Sequence, residues 1–162
     1  MKKLLLIILC VPLLFSCGGE KDNYDKLIGY TFSGSELDEK LKEWESNGGR
    51  SLTTESHNLA ISYYSKDNQR LVISEKMIGR KDQKAIFEII GYHIVNLEDN
   101  QTFFSNINLD GEPDDGIIAV VLASVVDGDW ECTEILKAWK LNIYSGEFEY
   151  IDVMFLSCYT LM

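Results

Sequence analysis

The chain predicts a mainly β fold: an antiparallel meander sheet of about six to seven strands with one short N-terminal helix. Three observations predict it. Six segments after Ser51 are rich in Ile, Val, Tyr and Phe: Leu59 to Tyr64, Leu71 to Ile78, Ala85 to Val95, Ile117 to Val126, Glu134 to Ile143 and Glu147 to Leu156. Such composition suits a pleated, half-buried surface. Short turn signals separate most of them, namely Lys66-Asp67-Asn68-Gln69, Gly79-Arg80-Lys81-Asp82, Asp127-Gly128 and Tyr144-Ser145-Gly146, so consecutive strands pair antiparallel. Helical spacing occurs in one place only, ahead of the strands.

The N-terminus comes first in chain order. Met1-Lys2-Lys3 is a short positive region, and Leu4 to Phe15 is apolar. A dozen apolar residues are too few to cross a bilayer and suit a secretory signal. Leu14-Phe15-Ser16-Cys17 then resembles the lipobox of bacterial lipoproteins. The resemblance implies cleavage before Cys17, acylation of Cys17 and a membrane anchor in the bacterial envelope, the outer membrane being favoured. Several acyl chains make such an anchor stable where one alone is marginal. Gly18 to Asn23 reads as a flexible tether, and residues 24–162 as a single domain without internal repeat or linker.

Loss of residues 1–16 removes two lysines, leaving 15 − 2 = 13 bases against 26 acids. That charge argues against nucleic acid as a partner. It is compatible with a basic protein, a cationic ligand or a divalent metal.

Tyr24 to Phe32 is apolar and of undecided type. Ser35, followed three residues later by Asp38, marks a helix start. Leu37, Leu41 and Trp44 fall on one helical face, and Gly48-Gly49 is the expected stop. The connection 97–116 interrupts the meander and carries the one designed-looking stretch, Asn106-Ile107-Asn108-Leu109-Asp110-Gly111-Glu112-Pro113-Asp114. Oxygen-bearing side chains occupy alternate positions, with Gly at the sixth, as a calcium loop requires. An EF-hand needs a bidentate Glu at position 12, which here is Ile117, and a β-branched run follows instead of a helix. A strand, an oxygen-rich loop and a second strand, with Phe103-Phe104 ending the first and Ile117 opening the next, resembles the calcium loop of FG-GAP and VCBS-type repeats. That resemblance covers about 20 residues and implies calcium as cofactor. Its ligands are Asn106, Asn108, Asp110 and Asp114, with the Glu112 carbonyl in the fifth place. Asn106 stands where the pattern has an acid, so affinity falls below that of extracellular modules at about 10⁻⁴ to 10⁻³ M. An Asn/Asp/Gly/Pro turn joining two strands accounts for the same residues.

Register predicts a Cys132–Cys158 disulfide. If Tyr144-Ser145-Gly146 is a three-residue hairpin loop, Ile143 faces Glu147, and paired positions keep a constant residue-number sum, the same for 143 and 147 as for 132 and 158. Cys132 and Cys158 then face each other as a non-hydrogen-bonded pair, with Cα atoms about 4.5 Å apart. Ile135 would oppose Phe155, and Trp139 would oppose Ile151.

Catalytic signatures are few. His57 and His93 share no ligand spacing, and no nucleophile elbow or phosphate-binding glycine loop occurs. Asp127, Asp129 and Glu131 flank Trp130 at a turn. Acids beside an exposed Trp suit sugar contact or a glycosidase pair, and equally a solvated hairpin. The functional expectation is therefore a non-enzymatic, lipid-anchored module binding a protein or glycan partner. The alternatives are an acidic inhibitor or immunity-type lipoprotein neutralising a basic toxin or hydrolase, and a small hydrolase.

Overall fold

A computed structural model describes residues 24–53, 58–126 and 129–158. Mainly antiparallel β structure with one short helix is present as expected. The single meander sheet is not: among the described residues twelve strands divide among three sheets. The first sheet has the order β1 (Thr31–Phe32), β5 (Lys84–Asn96), β4 (Gln69–Lys81), β3 (Asn58–Lys66), β2 (Glu45–Thr53). The second runs β11 (Phe148–Ile151), β10 (Asp129–Leu141), β9 (Ile117–Val126), β6 (Gln101–Phe104). The third is β12 (Leu156–Cys158), β7 (Ile107–Leu109), β8 (Glu112–Pro113).

Three apolar clusters order these elements into layers. Leu71, Ile73, Tyr64 and Ile89 of the first sheet lie under Leu27, Phe32, Leu37, Leu41 and Trp44 of the N-terminal segment. The opposite face of that sheet, through Leu59, Ile61, Val72 and Val95, meets Ile118, Val120 and Leu141 of the second. Ile117, Ala119 and Val121 turn to the far side, against Ile107 of the third sheet. Both faces of β9 are thus covered over Ile117–Val121, which is why that part of its sequence is a continuous apolar run rather than an alternation. A single meander could not cover two faces at once.

The helix is shorter than predicted. Helix α1 spans Glu36–Lys40 only, and Leu41 closes it through its N–H to Leu37 O. Leu37, Leu41 and Trp44 do share one buried face, at 2%, 6% and 9% exposure. Gly48 and Gly49 do not stop a helix; they lie inside strand β2. Gly48 has φ +83° at an irregularity between Ser46 and Gly49. At Gly49 a methyl group would strike the Ile61 carbonyl of β3, so the strand needs glycine for close approach. Ser35 makes no side-chain cap; Glu36 instead reaches back to the Ser33 N–H at 2.8 Å.

The expected register of the last hairpin is wrong by one. Asn142 exchanges backbone hydrogen bonds with Glu147 and Gly146, each 2.8 Å. Its side-chain oxygen accepts from the N–H groups of Tyr144 and Ser145 at 3.0 and 3.2 Å. That Asx turn enlarges the loop to Ile143–Gly146, so Trp139 faces Tyr150 and Ala138 faces Ile151. Glu147 to Leu156 is not one strand either. Asp152 accepts from Met154 N–H at 2.9 Å and opens a 3-10 turn, Val153–Phe155. The chain then leaves β10 and pairs with β7, Cys158 opposite Ile107.

Cys132 and Cys158 nevertheless stand at disulfide distance, with Cα atoms 6.1 Å apart. Their bond is not a cross-strand pair within one sheet. It joins β10 of the second sheet to β12 of the third.

Candidate functional site

The 105–116 segment is the structural centre of the site. Strands β7 and β8 form a hairpin in which Leu109 faces Glu112. Asp110 and Gly111 are its two-residue turn, with φ +53° and +85°. Two successive positive φ values define the primed turn that suits strand twist, and Asp-Gly is a preferred pair for it.

The five predicted calcium positions are differently employed. Asn106 Oδ1 accepts from Arg50 Nη2 at 3.2 Å. Asp114 Oδ1 accepts from the Gly116 N–H at 2.9 Å, and its Oδ2 pairs with Lys140 Nζ at 2.7 Å. Asp110 and Glu112 are exposed at the hairpin tip. Asn108 Oδ1 is buried with no hydrogen-bond partner. Two protein cations, Arg50 and Lys140, therefore already neutralise the base of the loop.

Arg50 was not identified in the sequence. It comes from β2, and nothing in Ser46-Asn47-Gly48-Gly49-Arg50 signals its partners more than 50 positions away. Its Nη1 donates to Asp115 Oδ1 at 2.7 Å and its Nη2 to Ser105 Oγ at 2.6 Å. The guanidinium lies 5.8 Å from the Tyr63 ring centroid, within cation–π range. Burial raises the Tyr63 phenol above its ordinary pKa, partly offset by the Arg50 charge, so the hydroxyl stays protonated. That hydroxyl is buried without a hydrogen bond of good geometry, although Ser105 and Arg50 lie close enough to lower its pKa. Beside these residues lies a crevice of about 410 Å³, lined also by Asn47. Comparison of the chain with known families, curated proteins and solved structures finds no match.

A second surface lies next to the hairpin tip. Asp110 N–H donates to Phe155 O at 3.1 Å. The 3-10 turn packs Val153 inward and leaves Met154 and Phe155 75% and 60% exposed. Tyr150, on edge strand β11, is 65% exposed and meets Trp139 edge-on at 6.3 Å.

The remaining predicted residues are scattered. Cys17 and Asp127 lie outside the described residues. For Asp129 and Trp130 only the backbone is described, opposite Val126 and Val125 at the start of β10. His57 is likewise outside, and His93 packs against Trp139 at 4.7 Å between ring centroids.

One buried acid was also missed. Glu75 is 3% exposed, on the strand face it shares with Leu71 and Ile73. Burial pushes its carboxyl up to about 7; the nearby Asp38 charge adds to this, and a Ser62 hydrogen bond opposes it. Oε1 of Glu75 has no hydrogen-bond partner. Tyr64 bridges the two acids in space, donating to Asp38 Oδ1 at 3.0 Å, and its own pKa is raised, chiefly by burial.

Proposed function

We propose that this chain is a non-enzymatic binding module of the bacterial envelope, held to the membrane by acylated Cys17. Of the two partner classes, protein and glycan, the reading favours a protein with a basic contact face. The observation that carries it is the exposed Met154–Phe155 pair beside the Asp110–Glu112 tip. Large exposed apolar groups rimmed by acids suit association better than solubility. From Leu141 to Met162 the chain holds Glu147, Glu149 and Asp152 and no Lys, Arg or His. The same charge supports the second reading, an acidic inhibitor or immunity-type lipoprotein that neutralises a basic toxin or hydrolase.

Calcium at Asn106, Asn108, Asp110, Glu112 and Asp114 remains part of the proposal as a stiffening ion. It would have to draw Asp114 away from Lys140. Asn108 Oδ1, buried and unbonded, is the group with most to gain.

A pull-down from detergent-solubilised envelope tests the reading with two baits, the natural chain and a Met154→Ser/Phe155→Ser variant. A basic protein held by the first, released by salt and absent from the second, is the expected result. Identical captures would overturn it. Radioactive fatty acid should label the natural chain and not Cys17→Ser; label retained by the variant would remove the anchor.

A further inference from the structure

Two crevices meet at Tyr63. The first, about 410 Å³, holds Arg50, Ser105, Asn106 and Asp115. The second, about 270 Å³, shares Asn47, Tyr63 and Ser105 with it and adds Arg70 and Thr102. In a chain of 26 acids and 15 bases, this joint crevice is lined by Arg50, Arg70 and one acid, Asp115; Arg70 Nη1 donates to the Asp67 and Gln69 carbonyls at 3.2 and 2.8 Å, which leaves Arg50 as the cation of the site. The acid, Asp115, is 57% exposed, whereas Arg50 is only 21% exposed. The cation is therefore largely buried, and its counter-ion is the more solvated member of the pair.

We infer that the Arg50 crevice is a binding site for a small carboxylate-bearing, hydroxylated ligand, of the sugar-acid class. Asp115 marks where the ligand carboxylate sits. Ser105 Oγ and Asn106 Oδ1 accept from Nη2 at 2.6 and 3.2 Å and so hold the guanidinium plane in orientation. The Nη1 that faces Asp115 then presents its N–H to any carboxylate that replaces it, as a charge-assisted hydrogen bond. Asp115, at 57% exposure, is solvated when released, and the incoming carboxylate keeps Arg50 paired, so the exchange leaves no buried charge alone. The buried Tyr63 hydroxyl has no hydrogen bond of good geometry, although Ser105 and Arg50 lie close enough to lower its pKa; burial outweighs them and keeps it a donor. A ligand hydroxyl seated beside the carboxylate satisfies it, and a bare carboxylate does not reach both groups. Asn47, Ser105 and Thr102 supply further neutral partners for hydroxyls, as polar groups in a small-ligand site do. This site is independent of partner docking at Met154 and Phe155, so failure of either leaves the other standing.

Backbone and side-chain NMR shifts of the full folded domain decide the matter, with galacturonate, galactose and acetate as the probes actually added. Galacturonate should give saturable shifts at Arg50, Tyr63 and Ser105. Galactose and acetate should bind at least tenfold more weakly. Asp115→Asn removes the internal competitor and should tighten galacturonate a few-fold, a gain that only a folded protein can show. Arg50→Gln should abolish saturation, and Arg50→Lys should weaken it about tenfold, because an ammonium cannot keep the Ser105 and Asn106 contacts that orient the group while it faces the ligand. Equal binding of galactose or acetate, unchanged affinity in Asp115→Asn, or saturation surviving in Arg50→Gln would each overturn the inference.

Discussion

Glu75 offers the sharpest test of the energetics, through Glu75→Gln. The carboxyl lies on strand β4 beneath the N-terminal cover, with Asp38 and Tyr64 as its ionisable neighbours. Burial raises its pKa from 4.5 to about 7, because charge is poorly solvated there. The folded state thus holds the proton more tightly than the unfolded chain. Protonated Glu75 imposes no penalty below the unfolded value. As pH rises from about 4.5 through 7, that stability is lost, and ionised Glu75 then burdens the fold in full. At about 1.4 kcal/mol for each tenfold change in proton affinity, the total is about 3 kcal/mol. Gln keeps the volume and removes the ionisation. Urea unfolding at pH 5 and pH 8 measures the effect. The difference between variant and natural chain should favour the variant by about 2 to 3 kcal/mol more at pH 8 than at pH 5, estimated from the same relation. Other acids titrate too, but they cancel in that difference. An equal difference at both pH values would refute the reasoning and mean that Glu75 is solvated or paired in solution.

Three further outcomes follow from the geometry. Reduction of Cys132–Cys158, 26 positions apart, should lower stability by about 3 to 4 kcal/mol on the chain-entropy estimate; urea midpoints with and without reductant measure it. Gly91→Ala drives a methyl into the Gly146 carbonyl, which already accepts from buried Ser74 Oγ at 2.6 Å. It should cost about 1 to 3 kcal/mol by overpacking, and a melting curve unchanged from the natural chain would show that the two sheets are not locked there. Millimolar calcium should raise the melting temperature relative to chelator, by mass action on the folded form. The shift should vanish in Asp110→Ala, and no shift at all would leave the 106–114 segment a turn.

Legibility of the fold depended on whether burial left a pattern. Strand β9 was readable because over Ile117–Val121 both its faces are covered, which leaves an unbroken apolar run. The hairpin of β3 and β4 was readable from Lys66 to Gln69, which pair directly around Asp67 at φ +51°. Strand β2 was not, because an edge strand of Glu, Ser, Asn, Gly and Arg carries no apolar alternation. Strands β11 and β12 merged in the sequence because one capping acid, Asp152, sends the chain to another sheet without breaking the apolar run. Glu75 could have been found: it is the single acid at the buried phase of Leu71, Ile73 and Glu75. Arg50 could not, since its partners are set by how two sheets meet.

The Asn106–Asp114 segment shows why a ligand pattern and a folding pattern can coincide. Oxygen at every second position is what an ion wants from a loop and also what a short, solvent-facing hairpin shows when alternate residues point outward. The Gly at position six serves either purpose, as a sharp bend around an ion or as the second residue of a primed turn. The deciding information lies outside the segment. Lys140, from β10, reaches Asp114 at 2.7 Å, and Arg50, from β2, reaches Asn106 and Asp115. These two strands belong to different sheets, so the acidic segment is clamped by a cation from each. Charge that reads in the sequence as a demand for metal is met by the fold with a guanidinium and an ammonium. It follows that any divalent ion or ligand carboxylate at this place acts by exchanging against a named internal partner: calcium against Lys140, and a carboxylate against Asp115.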